Sequence, residues 1–230
     1  MDFHFMKACL LRSQAAISTN PLAYTDVPEP RAATGEILIR VSCCGVCQTD
    51  LHVIEGDLPE RKSPLIPGHQ VVGVVAGLGD GARRFHLGAR VGIPWLHRTD
   101  QTCEFCRAGK ENLCDRPSFT GYTVDGGYAQ FAVAPEDFVY PIPESFPDEQ
   151  AASLLCAGII GFRCLRLAGA GDGARLGIYG FGAAGHIVAQ VALWQGRSVY
   201  AFTRKGDAAA QDFARRLGAS YAQVAAPRQL

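Results

Sequence analysis

Arg175-Leu176-Gly177-Ile178-Tyr179 runs directly into Gly180-Phe181-Gly182-Ala183-Ala184-Gly185 and then His186-Ile187-Val188-Ala189-Gln190. That order reads as a strand, a glycine turn and an Ala-rich helix, and it decides the fold of the C-terminal third. A lone Gly-x-Gly-x-x-Gly is weak, but between a strand and a helix it has a physical task. Gly180 permits the turn, Gly182 lets the backbone approach a dinucleotide pyrophosphate, and Gly185 allows tight helix–sheet packing. The helix N-terminus attracts the phosphate charge. The plainer alternative is a tight turn without a ligand.

Working outward, Ser198–Phe202 reads as a second strand, Asp207–Leu217 as a second helix and Ser220–Val224 as a third strand. Upstream, Asp148–Leu167 is rich in Ala, Leu and Ile, with Asp148-Glu149 suited to a helix start. Alternation of this kind predicts a doubly wound parallel sheet, but roughly six strands are the norm for a dinucleotide fold. Only half are visible, and Pro227–Leu230 offers no continuation, so a truncated or frameshifted product is expected. Residues 36–41 and 70–76, with shorter runs at 131–134 and 138–140, read instead as strands punctuated by glycine and proline. They predict a β-rich barrel or sandwich. The texture changes near Ala157, giving domains 1–157 and 158–230.

The chemistry lies in Cys44-Gly45-Val46-Cys47-Gln48-Thr49-Asp50-Leu51-His52, then Gly68-His69-Gln70, then a lone Cys156. Cys47, His69 and Cys156 supply two thiolates and an imidazole from three segments. That set suits a zinc ion whose fourth position stays open. Metal and dinucleotide together point to hydride transfer on an alcohol or carbonyl. Cys44 and Cys47 could instead form a redox dithiol, but no βαβ unit surrounds them.

These motifs, with Asp125-Gly126-Gly127-Tyr128-Ala129 and a cysteine cluster near Cys106, resemble the zinc-dependent medium-chain alcohol dehydrogenases from about Met6 to about Ala219. The resemblance implies a GroES-like catalytic domain followed by an incomplete Rossmann-type domain. It implies Cys47, His69 and Cys156 as zinc ligands, Thr49 bonded to the substrate oxygen, and His52 passing its proton to solvent through the cofactor ribose. Asp50 would orient His69, and Trp95 would line the pocket with Ile54 and Leu58. Gln70 departs from the family's common Gly-His-Glu. The family's structural zinc lobe is matched by Asp100, Cys103, Cys106 and Cys114, with Asp100 in the first cysteine position. A carboxylate is an acceptable zinc ligand. Four anionic ligands leave a net negative site, to be offset by backbone N–H groups or by Lys110 and Arg107. A vacated lobe and a zinc-finger-like binding module are the alternatives.

An NAD site would place an acid after the second strand. Here Phe202-Thr203-Arg204-Lys205 stands there, so Thr203 and Arg204 join Gly180, Gly182 and Gly185 as cofactor residues, and NADP is preferred to NAD. Acidic and basic residues balance at 22 each, which leaves no electrostatic footprint for nucleic acid or an anionic membrane. No long apolar stretch or leader is read, and nine cysteines without a signal peptide favour reduced thiols and a cytoplasmic location. The expected partner is a small alcohol or aldehyde. Homo-oligomers are implied for a full-length form, and a catalytically inactive zinc-binding fragment is the rival expectation.

Overall fold

The computed structural model describes residues 4–169 and 174–225; the expectation for Pro227–Leu230 lies outside them. The chain divides into two compact units, Met1–Cys156 and Ala157–Leu230.

In the first unit, β1 (Phe5–Leu11) and β2 (Leu22–Pro28) form an antiparallel hairpin. Then come β3 (Glu36–Gly45), α1 (Gln48–Glu55), β4 (Gln70–Leu78), β5 (Arg90–Ile93), β6 (Leu96–Arg98), α2 (Glu104–Arg107), β7 (Ser118–Phe119), β8 (Phe131–Pro135) and β9 (Tyr140–Pro141). The main sheet is five-stranded and antiparallel, in the order β8-β3-β4-β5-β9. Alternation along the strands turns Ile37, Ile39, Val71, Val91, Ile93 and Ala134 inward, and all are fully buried. Each large aliphatic side chain so placed contributes about 1.5–3 kcal/mol. β3 and β4 pair from Ile37↔Leu78 to Gly45↔Gln70 across two bulges. Their last pair therefore lies just ahead of Cys47 on one strand and just after His69 on the other.

The run 148–167 is not one regular helix. α3 (Asp148–Ser153) passes into a π-helical turn, Leu154–Gly158, before α4 (Ile159–Leu167). Wide turns of this kind are rare and concentrate at functional sites; this one carries Cys156. The reading of no apolar stretch near membrane length is also corrected. Asp148–Leu167 is 20 residues long with a mean hydropathy of 1.3 in its most apolar window. Its first part, however, is core: Ala151 and Ala152 of α3 and Leu155 of the π turn bury against Val72. The short strand expected at 138–140 is a 3₁₀ turn, Glu136–Phe138, followed by β9. Pro135 ends the ladder there, having no N–H to donate.

The second unit holds β10 (Arg175–Tyr179), α5 (Ala183–Trp194), β11 (Ser198–Thr203), α6 (Ala208–Arg216) and β12 (Tyr221–Val224). The strands are parallel, in the order β10-β11-β12. Val188, Ala189 and Ala192 of α5 and Ala214 of α6 bury against Ile178, Val199, Ala201 and Ala222. Asp207 caps α6 by accepting from Ala210 N–H.

At the β3–β4 crossing, a Cβ on Gly73 would lie 2.3 Å from the Arg40 carbonyl oxygen. Gly73→Ala must push the two central strands apart. The expected loss is about 1–3 kcal/mol in denaturant unfolding; an unchanged midpoint would show that the ladder yields at no cost.

Candidate metal centres and cofactor turn

The β3–β4 ladder delivers Cys47 and His69 to one place. Cys47 is the N-cap of α1, and its Sγ accepts from Thr49 N–H at 3.3 Å. Asp50, one turn into the helix, closes a capping box by accepting from Cys47 N–H at 2.9 Å through Oδ2. Its Oδ1 accepts from His69 Nδ1–H at 2.8 Å. Asp50 and His69 are each 1% exposed, so the carboxylate fixes the imidazole's tautomer and aims Nε2 at the sulfurs.

His69 Nε2 lies 3.4 Å from Cys47 Sγ, and Cys156 Sγ lies 3.9 Å from the same sulfur. The three donor atoms are all within 4.8 Å of one another. Zinc bonds of about 2.0–2.3 Å at tetrahedral angles put neighbouring donors about 3.3–3.8 Å apart. The geometry accommodates zinc with one position free.

Trp95 packs edge-on to His69, ring centroids 5.0 Å apart. It also stacks with Phe119 at 4.9 Å and Tyr122 at 5.8 Å, two aromatics that sequence reasoning missed. Ile54 is 2% exposed, in a cluster with Leu11, Val53, Leu65 and Tyr122 against which Trp95 and Leu58 also pack. His52, in the last turn of α1, donates from Nδ1 to Asp57 Oδ2 at 2.6 Å. Asp57 stands beyond the α1 C-cap Gly56, where no helical periodicity announces it.

Asp100, Cys103, Cys106 and Cys114 also bring their donor atoms within 4.8 Å of one another. Asp100 Oδ1 accepts from the N–H groups of Thr102 and Cys103, both at 2.9 Å. These bonds hold its carboxyl far below the usual range. Its Oδ2 is buried without a hydrogen-bond partner, an orphan acceptor that fits a metal ligand. Cys114 Sγ accepts from the N–H of Asp100 at 3.3 Å and of Arg116 at 3.4 Å. The compensating cation is Arg116, whose Nε lies 3.5 Å from Asp100 Oδ2, where sequence reasoning favoured Lys110 or Arg107.

In the second unit, Gly180 has φ +87°, and a Cβ on Gly180 or Gly182 would meet open space. A Cβ on Gly185 would lie 2.8 Å from the Gly180 carbonyl oxygen. The first two glycines thus leave room for a ligand, and the third lets α5 sit on the turn. An open cleft of about 330 Å³ is lined by Gly180, Phe202, Thr203, Arg204, Lys205, Val224 and Ala225. Thr203 is 3% exposed and its hydroxyl accepts from Gln211 Nε2 at 2.9 Å, so it offers the cleft backbone more than side chain. Arg204 is exposed.

Without metal, the first centre holds its protons unevenly. The hydrogen bond from Cys156, joined by those from His69 and Thr49, holds Cys47 well below the ordinary thiol range. The same contact, with burial, pushes Cys156 far up. Burial alone would lower His69, but its bonds to Asp50 and Cys47 raise it to about 9. Near neutrality the site is thus a Cys47 thiolate, a Cys156 thiol and a protonated His69. A metal takes thiolates and a neutral imidazole, so loading expels about two protons and tightens as pH rises towards about 9. Calorimetry in buffers of different ionisation enthalpy, parent minus Cys156→Ala, should count them; no proton release would contradict the assignment.

Residues 33–144 match the alcohol dehydrogenase GroES-like domain. A probable alcohol dehydrogenase AdhA of Mycobacterium tuberculosis is 47% identical over 228 residues, covering 97% of this chain. An alcohol dehydrogenase of Geobacillus stearothermophilus is 44% identical over 182 residues, 79% of this chain. The chain spans 65% and 54% of these relatives' lengths. Among solved structures, a cobalt- and zinc-bound thermostable alcohol dehydrogenase from Pyrobaculum aerophilum superposes with TM-score 0.85 at 26% identity, over 96% of this chain and 66% of that one. A CAD from Helicobacter pylori complexed with NADP(H) gives TM-score 0.85 at 25% identity, over 96% and 65%. The β-rich unit is GroES-like and the parallel unit matches part of these proteins' α/β fold. The chain thus carries an alcohol dehydrogenase GroES-like domain and is similar, over nearly its whole length, to part of these alcohol dehydrogenases.

Proposed function

We propose that the chain is a zinc-dependent alcohol dehydrogenase polypeptide that transfers hydride between a small alcohol or aldehyde and NADP or NAD. The observation that carries this is the convergence of Cys47, His69 and Cys156, with a donor spacing that fits zinc. Zinc held there supplies a Lewis acid that acidifies an alcohol or polarises a carbonyl. The protein's own groups do the rest. Asp50 holds His69 in the tautomer that presents Nε2 to the metal position. Thr49, beside Cys47 at the start of α1, takes the substrate proton. His52 is bound to Asp57 through Nδ1, which keeps Nε2 free to pass that proton on. Trp95, Phe119 and Tyr122 form an aromatic wall that favours slim apolar substrates and excludes water.

Asp100, Cys103, Cys106 and Cys114 would hold a second, structural zinc. In the second unit, Gly180, Gly182 and Gly185 would seat the pyrophosphate, with Thr203 and Arg204 at the ribose. Arg204 and Lys205 support NADP over NAD, since a guanidinium pairs with a 2′-phosphate. The assigned domains are 1–157 for the metal and 158–230 for the dinucleotide. A cytoplasmic setting belongs to the same reading.

The second reading is that the chain holds zinc but does not turn over. Metal analysis and a coupled absorbance assay separate the two. Two zinc ions per chain are expected, one lost in Cys47→Ala and the other in Asp100→Ala. NADP-dependent oxidation that disappears in Cys47→Ala establishes the first reading, and full zinc content without turnover establishes the second. Arg204→Ala should weaken NADP binding about tenfold or more while leaving NAD binding nearly unchanged. Equal effects on both coenzymes in a binding titration would remove the case for NADP.

A further inference from the structure

Beside the first metal centre lies a buried phenol that no step above uses. The Tyr128 ring lies against Gly68, the residue before His69. A Cβ on Gly68 would come within 2.5 Å of ring carbon Cδ1 and 2.9 Å of Cys44 Sγ. The backbone fixes this placement, because Tyr128 N–H donates to the Pro67 carbonyl at 3.0 Å and Gly127 N–H to that of Gly68 at 2.9 Å. The phenol oxygen is buried with no hydrogen-bond partner, a condition that destabilises a folded protein. Asp50, the first of the charges that act on this phenol, is a buried carboxylate that has taken two donors, Cys47 N–H and His69 Nδ1–H. An ionised carboxylate offers about four lone-pair positions. The phenol lacks an acceptor and the carboxylate lacks a donor.

Burial first, then the negative charge of Asp50, pushes the phenol's pKa up. The hydroxyl therefore keeps its proton and remains a donor.

We propose that Tyr128 is a positioning residue for this centre: its hydroxyl donates to Asp50, directly or through one ordered water, and through Asp50 sets the orientation and basicity of His69. The inference rests on the metal-site reading above. Partners of a metal-binding histidine change metal affinity by about 10–100-fold; one step further out, a smaller effect is expected.

The test is competition for zinc against a chromophoric chelator, using the full chain. Cys47→Ser identifies the binding phase that belongs to this centre. Y128F, which keeps the ring, should weaken that phase about three- to tenfold and leave the other phase unmoved. With cobalt in the site, it should also shift the visible absorption bands. Y128L reports what the ring contributes by packing. If Y128F matches the parent within twofold while Y128L falls, the role is packing alone and the proposal is overturned. If no phase is removed by Cys47→Ser, the metal site itself is refuted and this proposal with it.

Discussion

One buried carboxylate holds the first centre together. Asp50 joins a helix N-terminus to an imidazole, with one oxygen on Cys47 N–H and the other on His69 Nδ1–H. A charge 1% exposed is tolerable only when paired and hydrogen-bonded. Both partners must therefore arrive in register, and the β3–β4 ladder sets that register through its terminal pair Gly45↔Gln70. A one-residue slip would turn every alternate side chain to the wrong face. It would unbury Ile37, Ile39 and Val71 while separating Cys47 from His69. Core packing and site geometry are the same constraint here.

The two centres handle charge differently. Around a divalent ion, Cys47, Cys156 and a neutral His69 sum to zero, which leaves the metal electrophilic with no need for a nearby cation. Asp100 and three cysteines sum to two negative charges beyond the ion. The lobe answers with N–H groups aimed at Asp100 Oδ1 and Cys114 Sγ, and with Arg116 at 3.5 Å from Asp100 Oδ2. Chain order reflects this. The first centre draws its donors from three distant segments fixed by a sheet, a helix cap and a π turn. The second is local, running from Asp100 to Cys114, and its short helix α2 starts at a donor, Cys103.

Local patterns were legible in the sequence and long-range contacts were not. The alternation in 36–41 announced β3, the β-branched run 70–76 announced β4, and the glycine fingerprint announced β10 and α5, because side-chain pattern and glycine placement are local properties. The donor sets were legible as ordered motifs rather than as geometry. The π turn was missed because Leu154–Gly158 is as apolar as its flanks; what it changes is backbone hydrogen bonding, which residue type hardly encodes. The β1–β2 hairpin escaped because β2 is mostly exposed or half-buried and carries no clean alternation. Tyr128 stood in a quoted motif, yet only the fold sets its ring against Gly68.

The groups proposed to hold metal and those proposed to hold coenzyme lie in separate units of the chain. Every donor of both centres, with Asp50 and Arg116 that steady them, lies within Met1–Cys156. Among the described residues, no donor of either cluster comes from Ala157–Leu230. Hydride transfer asks more, because a nicotinamide must be held, and the groups suited to that lie in the second unit around Gly180 and Arg204. There, α5 and α6 bury Ile178, Val199, Ala201 and Ala222. The alternate side chains Tyr179 and Phe202 stack with centroids 4.6 Å apart, and Tyr179 is 76% exposed. Apolar surface of that kind is held out of water in most folded domains. The unit proposed to hold coenzyme thus keeps this stacked aromatic pair at its surface, beside the glycine turn.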